Sequence, residues 1–596
     1  MEPIEFYKQE LADLEKNLKK LKQKKSSFAW LRLGAIAGIF LVFYFLWSMG
    51  AVYVAAGCIL LVFIFIRLVH ADLNNQAIIH HTKKLILINE NEIKSINEDY
   101  TPFENGTNHI TKDHPYSNDL DIFGPASLFQ FSNRTTSQMG SYQLSEYLKA
   151  PSPIEEIELK QEAVKELTGK IKWIQNLQAE GKKEPITYLT KKRLASWMQE
   201  PPVFSLFKHW RWLRYLLPAI ILTIIGLYIY DIVGDTIFYL TLLIFAAIAY
   251  QINKYVAPVH EQLSKIADEL NTLSTSISFI EKEEFNNPLL KKLQAAYLHK
   301  NQKASKNIYE IKKILDKLDL RYNLVLSLPL NLLLLWNLQQ MLDLEKWKSK
   351  QQENLGFWFD NLGHFEALNS FAILNFNNPD WVFPTINPAY FSISGTGIGH
   401  PLIPGKKRVD NPISIPAQGE LMLITGSNMA GKSTYLRSIG VNTVLAMAGS
   451  PVCAKEFSVS HVEIISSMRI TDNLEESTST FYAELKKLKS IIEKVNNSER
   501  VFILLDEILR GTNSLDRHTG SKALIKQLIK KRAATIIATH DLELANIKNE
   551  YPDNILNYHF DVQVENDELF FDYQLKPGIC TSLNASILMR KIGIEL

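Results

Sequence analysis

Cysteine is scarce in this chain of 596 residues: Cys58, Cys453 and Cys580 lie far apart and in no metal-ligand spacing. That excludes a disulfide framework and a thiolate zinc site, and it fits a reducing compartment for the soluble part. A charge excess is lacking too. The 65 Lys and Arg against 63 Asp and Glu leave a formal +2, so no global basic field points to nucleic acid, and a local patch stays open. No cleavable leader is expected either, because the first 25 residues are charged and helical, too long for an n-region. The length is enough for several domains with sizeable cores.

The most telling absence is local. No charge occurs between Arg32 and Arg67 in Leu31–Val69. Soluble helices nearly always show a polar face, so this block predicts two short membrane spans joined at Ser48-Met49-Gly50. A second apolar block, Leu213–Tyr255, predicts another hairpin with Asp231–Asp235 as its loop. Lys208, Arg211 and Arg214 flank one end and Lys254 the other, while neither hairpin loop holds Lys or Arg. By the positive-inside rule both hairpins dip outward and the rest is cytoplasmic.

Around these blocks the chain reads in order. Residues 2–25 predict a helix with Leu11, Leu14, Leu18 and Leu21 in a short heptad seam. That seam fits a coiled-coil dimer contact, packing on the same chain or the membrane surface. Residues 71–120 read as a polar linker with one short strand at Leu85–Ile88. Residues 121–200 and 257–350 read as helical. Leu324–Leu338 is apolar but short, and it contains Pro329, Asn331 and Asn337. An odd span count would also put the downstream domain outside, so a buried helix is expected. From about Asn354 strands alternate with helices.

Thr425–Tyr435, TGSNMAGKSTY, is the chemical centre. Gly426, Gly431, Lys432 and Ser433 fit a phosphate-binding loop between a strand at Glu420–Thr425 and a helix starting near Lys432. Free N–H groups at the helix start, aided by the dipole, suit an anion. The ATP-binding candidates are Gly426, Ser427, Asn428, Met429, Ala430, Gly431, Lys432, Ser433 and Thr434. Lys432 would hold the β- and γ-phosphates. Ser433 and Asp506 would hold Mg²⁺. Asp506-Glu507 ends the apolar strand Val501–Glu507, and Glu507 would act as general base. His540, after the strand in Thr535–Asp541, would sense the γ-phosphate. Arg510-Gly511-Thr512 and Asp516 would face a second subunit. Ser479-Thr480 opens a helix whose hydroxyls and N–H groups suit a γ-phosphate from another subunit. Near the carboxy terminus, ILNYHFDVQVENDELFFDYQL predicts an antiparallel hairpin turning at Asn566-Asp567.

Together these residues resemble the MutS family of DNA mismatch-repair ATPases. TGSNMAGKST is similar to the family's TGPNMGGKST, with Ser427 and Ala430 as departures. Asp472-Asn473-Leu474 with Ser479-Thr480-Phe481 resembles the signature loop, although Ser477-Thr478 replaces Gly-Arg or Gly-Gln. DEILRGTNSLD resembles DEIGRGTSTYD, with Leu509 where Gly is usual, and ATHDLEL resembles ATHYHEL. His400-Pro401 matches the HP that opens the ATPase domain. LKPGICTSLNA resembles the carboxy-terminal motif, with Asn584 at a Gly position, and Asn133–Leu167 is similar to the start of the family's helical core. The resemblance covers about 121–200 and 257–596.

It implies an α/β P-loop ATPase domain of ABC-like, MutS type, an all-α core and lever domain, and a dimer that sandwiches each ATP between subunits. With the hairpins added, the expected units are a charged helix (1–27), a transmembrane hairpin (28–70) and a linker (71–120). Helical core (121–200), a second hairpin (201–256), further core and lever (257–370) and the ATPase domain (371–596) follow. The family's mismatch-reading domain has no counterpart in residues 1–120, and the second hairpin sits where the levers would run to the DNA-clamping tip. Lys291, Lys292, Lys300, Lys303, Lys306, Lys312 and Lys313 are spread along helices and read as a solvated face. The expected protein is a membrane-anchored, Mg-dependent ATP hydrolase and a homodimer. It would sit in the cytoplasmic membrane through four transmembrane helices and bind mismatched or branched DNA in a repair-related process. The alternative is a membrane-coupled mechanical ATPase without a DNA role.

Overall fold

The computed structural model describes residues 2–207, 209–299, 302–351, 355–427, 429–468, 480–497, 500–565 and 568–580. It opens on two long antiparallel helices, α1 (Pro3–Leu46) and α2 (Ala51–Ile96). The chain reverses through Trp47–Met49 and Gly50, whose φ of 113° only glycine adopts readily. The charged stretch and the first half of the first apolar block are one continuous helix, and the second half opens α2. Leu11, Leu14, Leu18 and Leu21 are half-buried. Asn75 Nδ2 donates to the Leu21 carbonyl at 3.0 Å, and Arg32 pairs with Asp72 at 3.2 Å. The leucine seam thus packs on the same chain.

The expected linker with a strand at Leu85–Ile88 is overturned, because α2 runs on to Ile96. The reason lies in what this helix buries. Asp72, Asn75, Ile79, Thr82, Asn89, Glu92 and Ser95 recur at helical spacing, and most are polar. Each of these polar side chains makes at least one hydrogen bond or ion pair inside the protein, which offsets its burial, although Asp72 Oδ1 and Asn75 Oδ1 find no partner among the described residues. Glu92 takes a two-pronged pair from Arg134, at 2.5 and 3.1 Å, and Asn89 accepts from Gln175 at 3.0 Å. A reading keyed to apolar periodicity misses such a face.

Residues 97–127 are not a free linker either. Leu120 and Ile122 are fully buried. A helical core follows: α3 (Leu128–Ser132), α4 (Gln138–Lys149), α5 (Ile154–Thr168), α6 (Ile171–Gly181) and α7 (Tyr188–Gln199). Next come α8 (Trp210–Ile229) and α9 (Asp235–Ser264), the second apolar hairpin. Then α10 (Ala267–Lys282), α11 (Pro288–Ala295), the small ladder β1 (Leu298–His299) and β2 (Gln302–Lys303), and α12 (Ala304–Asp319) return the chain to the core. α13 (Leu324–Leu334), α14 (Trp336–Gln351) and α15 (Leu355–Asn377) complete it. Glu366 of α15 ties the core together: its carboxylate accepts from the hydroxyls of Thr136 and Ser137 at 2.5 and 2.7 Å.

The buried helix expected at Leu324–Leu338 exists only in its second half. Leu335 sits at φ 45° and breaks it, and the two halves meet at 76°. Beyond the break the chain is buried, whereas Val325 is 82% and Leu328 70% exposed. Among the described residues, α1, α2, α8 and α9 are long and apolar enough to cross a membrane.

The last third is α/β. Five parallel strands, in the order β11 (Ile555–Phe560), β6 (Leu421–Thr425), β10 (Ala534–Thr539), β9 (Val501–Asp506) and β8 (Glu463–Ser467), form the main sheet, and β14 (Leu575–Pro577) adds antiparallel at the β11 edge. Every residue of β6, β9 and β10 is buried, as expected of a sheet covered on both faces. α16 (Lys432–Ala448), α17 (Thr480–Asn496) and α18 (Ser514–Lys530) cover it. A second sheet pairs β3 (Thr385–Asn387), β7 (Glu456–Ser460), β4 (Ile393–Ile398) and β5 (Asn411–Ile415). The carboxy-terminal hairpin is smaller than expected. Ile555–Phe560 joins the parallel sheet, and only β12 (Gln563–Glu565) and β13 (Glu568–Phe570) pair antiparallel. The expected turn residues Asn566 and Asp567 lie outside the described residues.

Helical core and sheet domain share one apolar core. A Cβ on Gly440 of α16 would lie 2.7 Å from Leu120 Cδ2 and 2.9 Å from Leu504 Cδ1, so glycine there permits the contact.

Candidate functional site

In an open parallel sheet the carboxyl ends of the strands face a crevice. Here β6 ends at Thr425, β9 at Asp506 and β10 at Thr539. The loop after β6 carries the glycine-rich motif. Gly426 (φ 148°) packs so close to Phe560 that a Cβ would be 2.7 Å from its carbonyl oxygen, and Gly431 (φ 107°) is the residue before α16. Lys432 opens the helix and is buried. Its ammonium folds back into the loop, donating to the carbonyls of Gly426 at 2.7 Å and Ser427 at 2.8 Å. Burial pulls its pKa down, and the carboxylates of Glu507 and Asp506 oppose that. Met429 and Ala430 complete the loop, Met429 at the surface and Ala430 buried, and Thr434 follows Ser433 on the first turn of α16. Asn428 lies outside the described residues.

The two metal candidates meet. Burial raises the Asp506 carboxyl, and a hydrogen bond from Ser433 opposes that rise more than any nearby charge does. Asp506 Oδ1 is buried with no hydrogen-bond partner among the described residues. An orphaned carboxylate oxygen beside a hydroxyl, at the start of an anion-binding helix, fits a hard divalent cation that takes oxygen ligands.

Glu507 follows at φ 49°, with its N–H donating to the Ala538 carbonyl at 2.9 Å. Its carboxylate lies 3.7 Å from His540 Nδ1 and 3.2 Å from Arg510 Nε. The base and sensor candidates are therefore neighbours. Arg510, expected to face a second subunit, here binds Glu507 of its own chain. The turn carrying His540 is anchored from α18, where His518 Nδ1 meets Asp541 Oδ2 at 2.8 Å.

Sequence reasoning missed Glu484 on α17. It is buried, and its carboxylate accepts the backbone N–H groups of Leu509 and of Arg510, the latter at 3.2 Å. Its only sequence signal is position, a carboxylate one turn into the helix opened by Thr480. Ser479 lies outside the described residues, as does the side chain of Thr480, so their expected partner-facing role gains no geometry here.

A cavity of about 550 Å³ adjoins the loop, lined by Lys432, Ser433 and Glu507 on one side and by His400, Phe560 and Tyr573 on the other. Burial, then the Arg437 guanidinium, pushes the His400 imidazole down to about 4. An uncharged imidazole and two aromatic rings beside a phosphate loop form a slot for a flat heterocycle. Phe560, at the end of β11, and Tyr573, in the loop before β14, carried no motif signal, because they lie far from the phosphate loop in sequence.

The stretch that carries this site is similar in sequence to known proteins. The family model of MutS domain V matches residues 422–589. A DNA mismatch repair protein MutS of Aquifex pyrophilus is 34% identical over 233 residues, covering 38% of this chain and 27% of that protein. The human MutS protein homolog 4 is 34% identical over 205 residues, 33% of this chain and 22% of that one. The MutS of Carboxydothermus hydrogenoformans is 37% identical over 163 residues, 27% and 19%. The matched part spans about a quarter of the length of these curated relatives. The helix-rich body with its mixed sheets fits the same fold. Over this part of the chain, the family model and the curated relatives show a likeness to the MutS family at moderate identity.

Proposed function

We propose that this protein is a membrane-anchored MutS-like ATPase that hydrolyses Mg–ATP in a site shared by two subunits. The observation that carries the reading is the convergence of Lys432, Ser433, Asp506, Glu507 and His540 at the carboxyl edge of one parallel sheet. Lys432 and the N–H groups of the loop would neutralise the phosphates. Ser433 and Asp506 would hold Mg²⁺, which when bound offsets charge on the β- and γ-phosphates. Glu507 would take a proton from the attacking water, and His540 would donate to the γ-phosphate. The cavity beside His400 would take the base. The composite dimer site with Ser479 and Thr480 of a second copy follows from the family resemblance, as does DNA as the object of the helical levers. A homodimer is the simplest assembly.

The hairpins α1–α2 and α8–α9 support anchoring in the cytoplasmic membrane by four transmembrane helices. Their outward faces are apolar, Phe40 being 70% and Leu243 67% exposed, and their flanks carry Lys and Arg while their loops do not. The ATPase domain would lie in the cytoplasm. A second reading is a membrane-coupled mechanical ATPase with no DNA role: α8–α9 interrupts the helical core at the point in the chain where the family resemblance would put a DNA-holding lever.

One experiment separates them. ATPase is measured on purified protein in detergent with and without homoduplex, mismatched and branched DNA, alongside Glu507→Ala. DNA-stimulated turnover at moderate salt, lost in Glu507→Ala, supports the first reading. Turnover unchanged by DNA, with no DNA retained, leaves the second. No turnover in the wild type sinks both.

A further inference from the structure

The exposed apolar helix α13 belongs to neither hairpin nor core. None of its residues, LVLSLPLNLLL, is charged. Val325, Leu326 and Leu328 face outward, while the residues around Asn331 turn toward α8 and α9. A soluble protein rarely shows such a surface without a partner. Three observations say what covers it.

The first is direction. Past the break at Leu335, α14 retraces the approach of α8 toward the core. Gln339 and Asp343 meet Arg214 at 2.7 and 3.0 Å, Glu345 accepts the N–H groups of residues 203–205, and the Lys348 ammonium caps the carbonyls of Trp197 and Glu200. Asn337 meets Asn253 of α9 at 3.1 Å. α14 thus runs beside the start of the hairpin, and α13 turns away from α14 at 76° while packing against α8 and α9. At eleven residues it is about 16 Å long, half of a span.

The second is polar satisfaction. Asn331 Nδ2 donates to the Ser327 carbonyl at 2.9 Å and its Oδ1 accepts from the Asn337 N–H at 3.0 Å. Asn323 caps the first turn, accepting from the N–H groups of Val325 and Leu326 at 3.2 and 3.3 Å. The break and the helix start, where backbone groups would need water, are closed internally, as a lipid setting requires.

The third is the flank. Arg321 and Tyr322 stand just before the capping Asn323, Tyr322 being exposed, and Trp336 stands just past Leu335 with Nε1 bonded to the Lys317 carbonyl at 2.8 Å. Aromatic residues at both ends of an apolar segment, with a basic one beside the first, mark the headgroup level.

We propose that α13 is an interfacial lipid-binding helix, lying in the membrane plane at the base of the second hairpin with Val325, Leu326 and Leu328 in the acyl boundary. It rests on the membrane reading of that hairpin. It would tie the lever region of the core to the bilayer surface as well as to its interior.

The test uses the full chain in nanodiscs of phosphatidylcholine and phosphatidylglycerol, with Cys58→Ser, the other two thiols being buried. Nitroxide is placed singly at Val325→Cys, Leu328→Cys, Leu243→Cys in α9 and Leu515→Cys on the ATPase domain, all exposed positions. Collision with oxygen and with a water-soluble nickel chelate is then measured. At positions 325 and 328 oxygen access should exceed nickel access several-fold, at a shallower depth than at 243, with the reverse at 515. Nickel access at 325 and 328 equal to that at 515, while 243 stays lipid-facing, overturns this proposal alone. Low access to both reagents with spin–spin broadening would mean that a second copy covers the helix, and would also overturn it. Nickel access at 243 too would remove the membrane reading with it.

Discussion

Replacing Glu484 should cripple hydrolysis while sparing ATP binding. The carboxylate accepts two backbone N–H groups in the turn after Glu507, those of Leu509 and Arg510. That turn holds two non-glycine residues at positive φ, Glu507 at 49° and Leu509 at 62°. Each such residue costs about 1–3 kcal/mol and persists only where surrounding contacts hold it. In Glu484→Ala the Leu509 N–H loses its acceptor in a buried place, at about 1–3 kcal/mol, and the Arg510 N–H, nearer solvent, loses less. A total of about 2–4 kcal/mol is comparable to the strain being held. The turn should relax and Glu507 should leave its place beside His540. Converted to rate at about 1.4 kcal/mol per decade, kcat should fall roughly 30- to 1000-fold. Lys432 and its loop are untouched, so nucleotide affinity should change less than about threefold. Glu484→Gln keeps one acceptor and should fall between the two. The assay is steady-state hydrolysis with a fluorescent-nucleotide titration and a thermal melt on each variant. Burial also raises the Glu484 carboxyl, so turnover should decline on acidification at a pH above the ordinary carboxylate range. Two results would refute this account: unchanged kcat in Glu484→Ala, or loss of nucleotide affinity in step with kcat.

Three further outcomes follow from the packing. Arg134→Ala leaves Glu92 buried without its charge partner, both being almost inaccessible. It should destabilise by about 3–5 kcal/mol, whereas Arg134→Met with Glu92→Leu should recover much of the loss in a denaturant melt. Gly440→Val should cost about 1–3 kcal/mol through overpacking against Leu120 and Leu504, and pairing it with Leu120→Ala should relieve part of that. His400, held down to about 4 by burial and Arg437, should make nucleotide-free stability depend on pH. The unfolded chain takes up the proton first, so stability is full above about pH 6.5 and falls by up to about 3 kcal/mol as pH drops toward 4. His400→Phe should flatten that slope in a pH series of thermal melts.

The parts legible in the sequence share one property: their physics is local. Gly426 and Gly431 must bend the chain wherever a strand meets a helix across bound phosphate. Val501–Asp506 and Ala534–Thr539 are apolar throughout because they are covered on both faces. The two apolar blocks announce hairpins because no stretch that long can hide in a core of this size without a polar face. The parts misread were set by partners distant in sequence. α2 beyond the first apolar block buries Asp72, Asn89 and Glu92, which look like loop residues until Arg32, Gln175 and Arg134 are placed against them. Leu324–Leu338 reads as core by composition, yet the left-handed turn at Leu335 sends its first half to the surface.

The same division runs through the site. Residue types and spacing determined by themselves that Lys432, Ser433, Asp506, Glu507 and His540 sit at the ends of strands and open or follow helices. Nothing in the spacing says that Arg510 turns back onto Glu507, that Glu484 fastens the turn beneath it, or that Phe560 and Tyr573 wall the cavity. The last two join chain segments tens to more than a hundred residues apart, and the first depends on a turn that Glu484 holds, so their geometry exists only once the parallel sheet has ordered its strands. The tertiary structure decided them because hydrogen bonds and ring contacts depend on distance in space, which sequence separation does not encode.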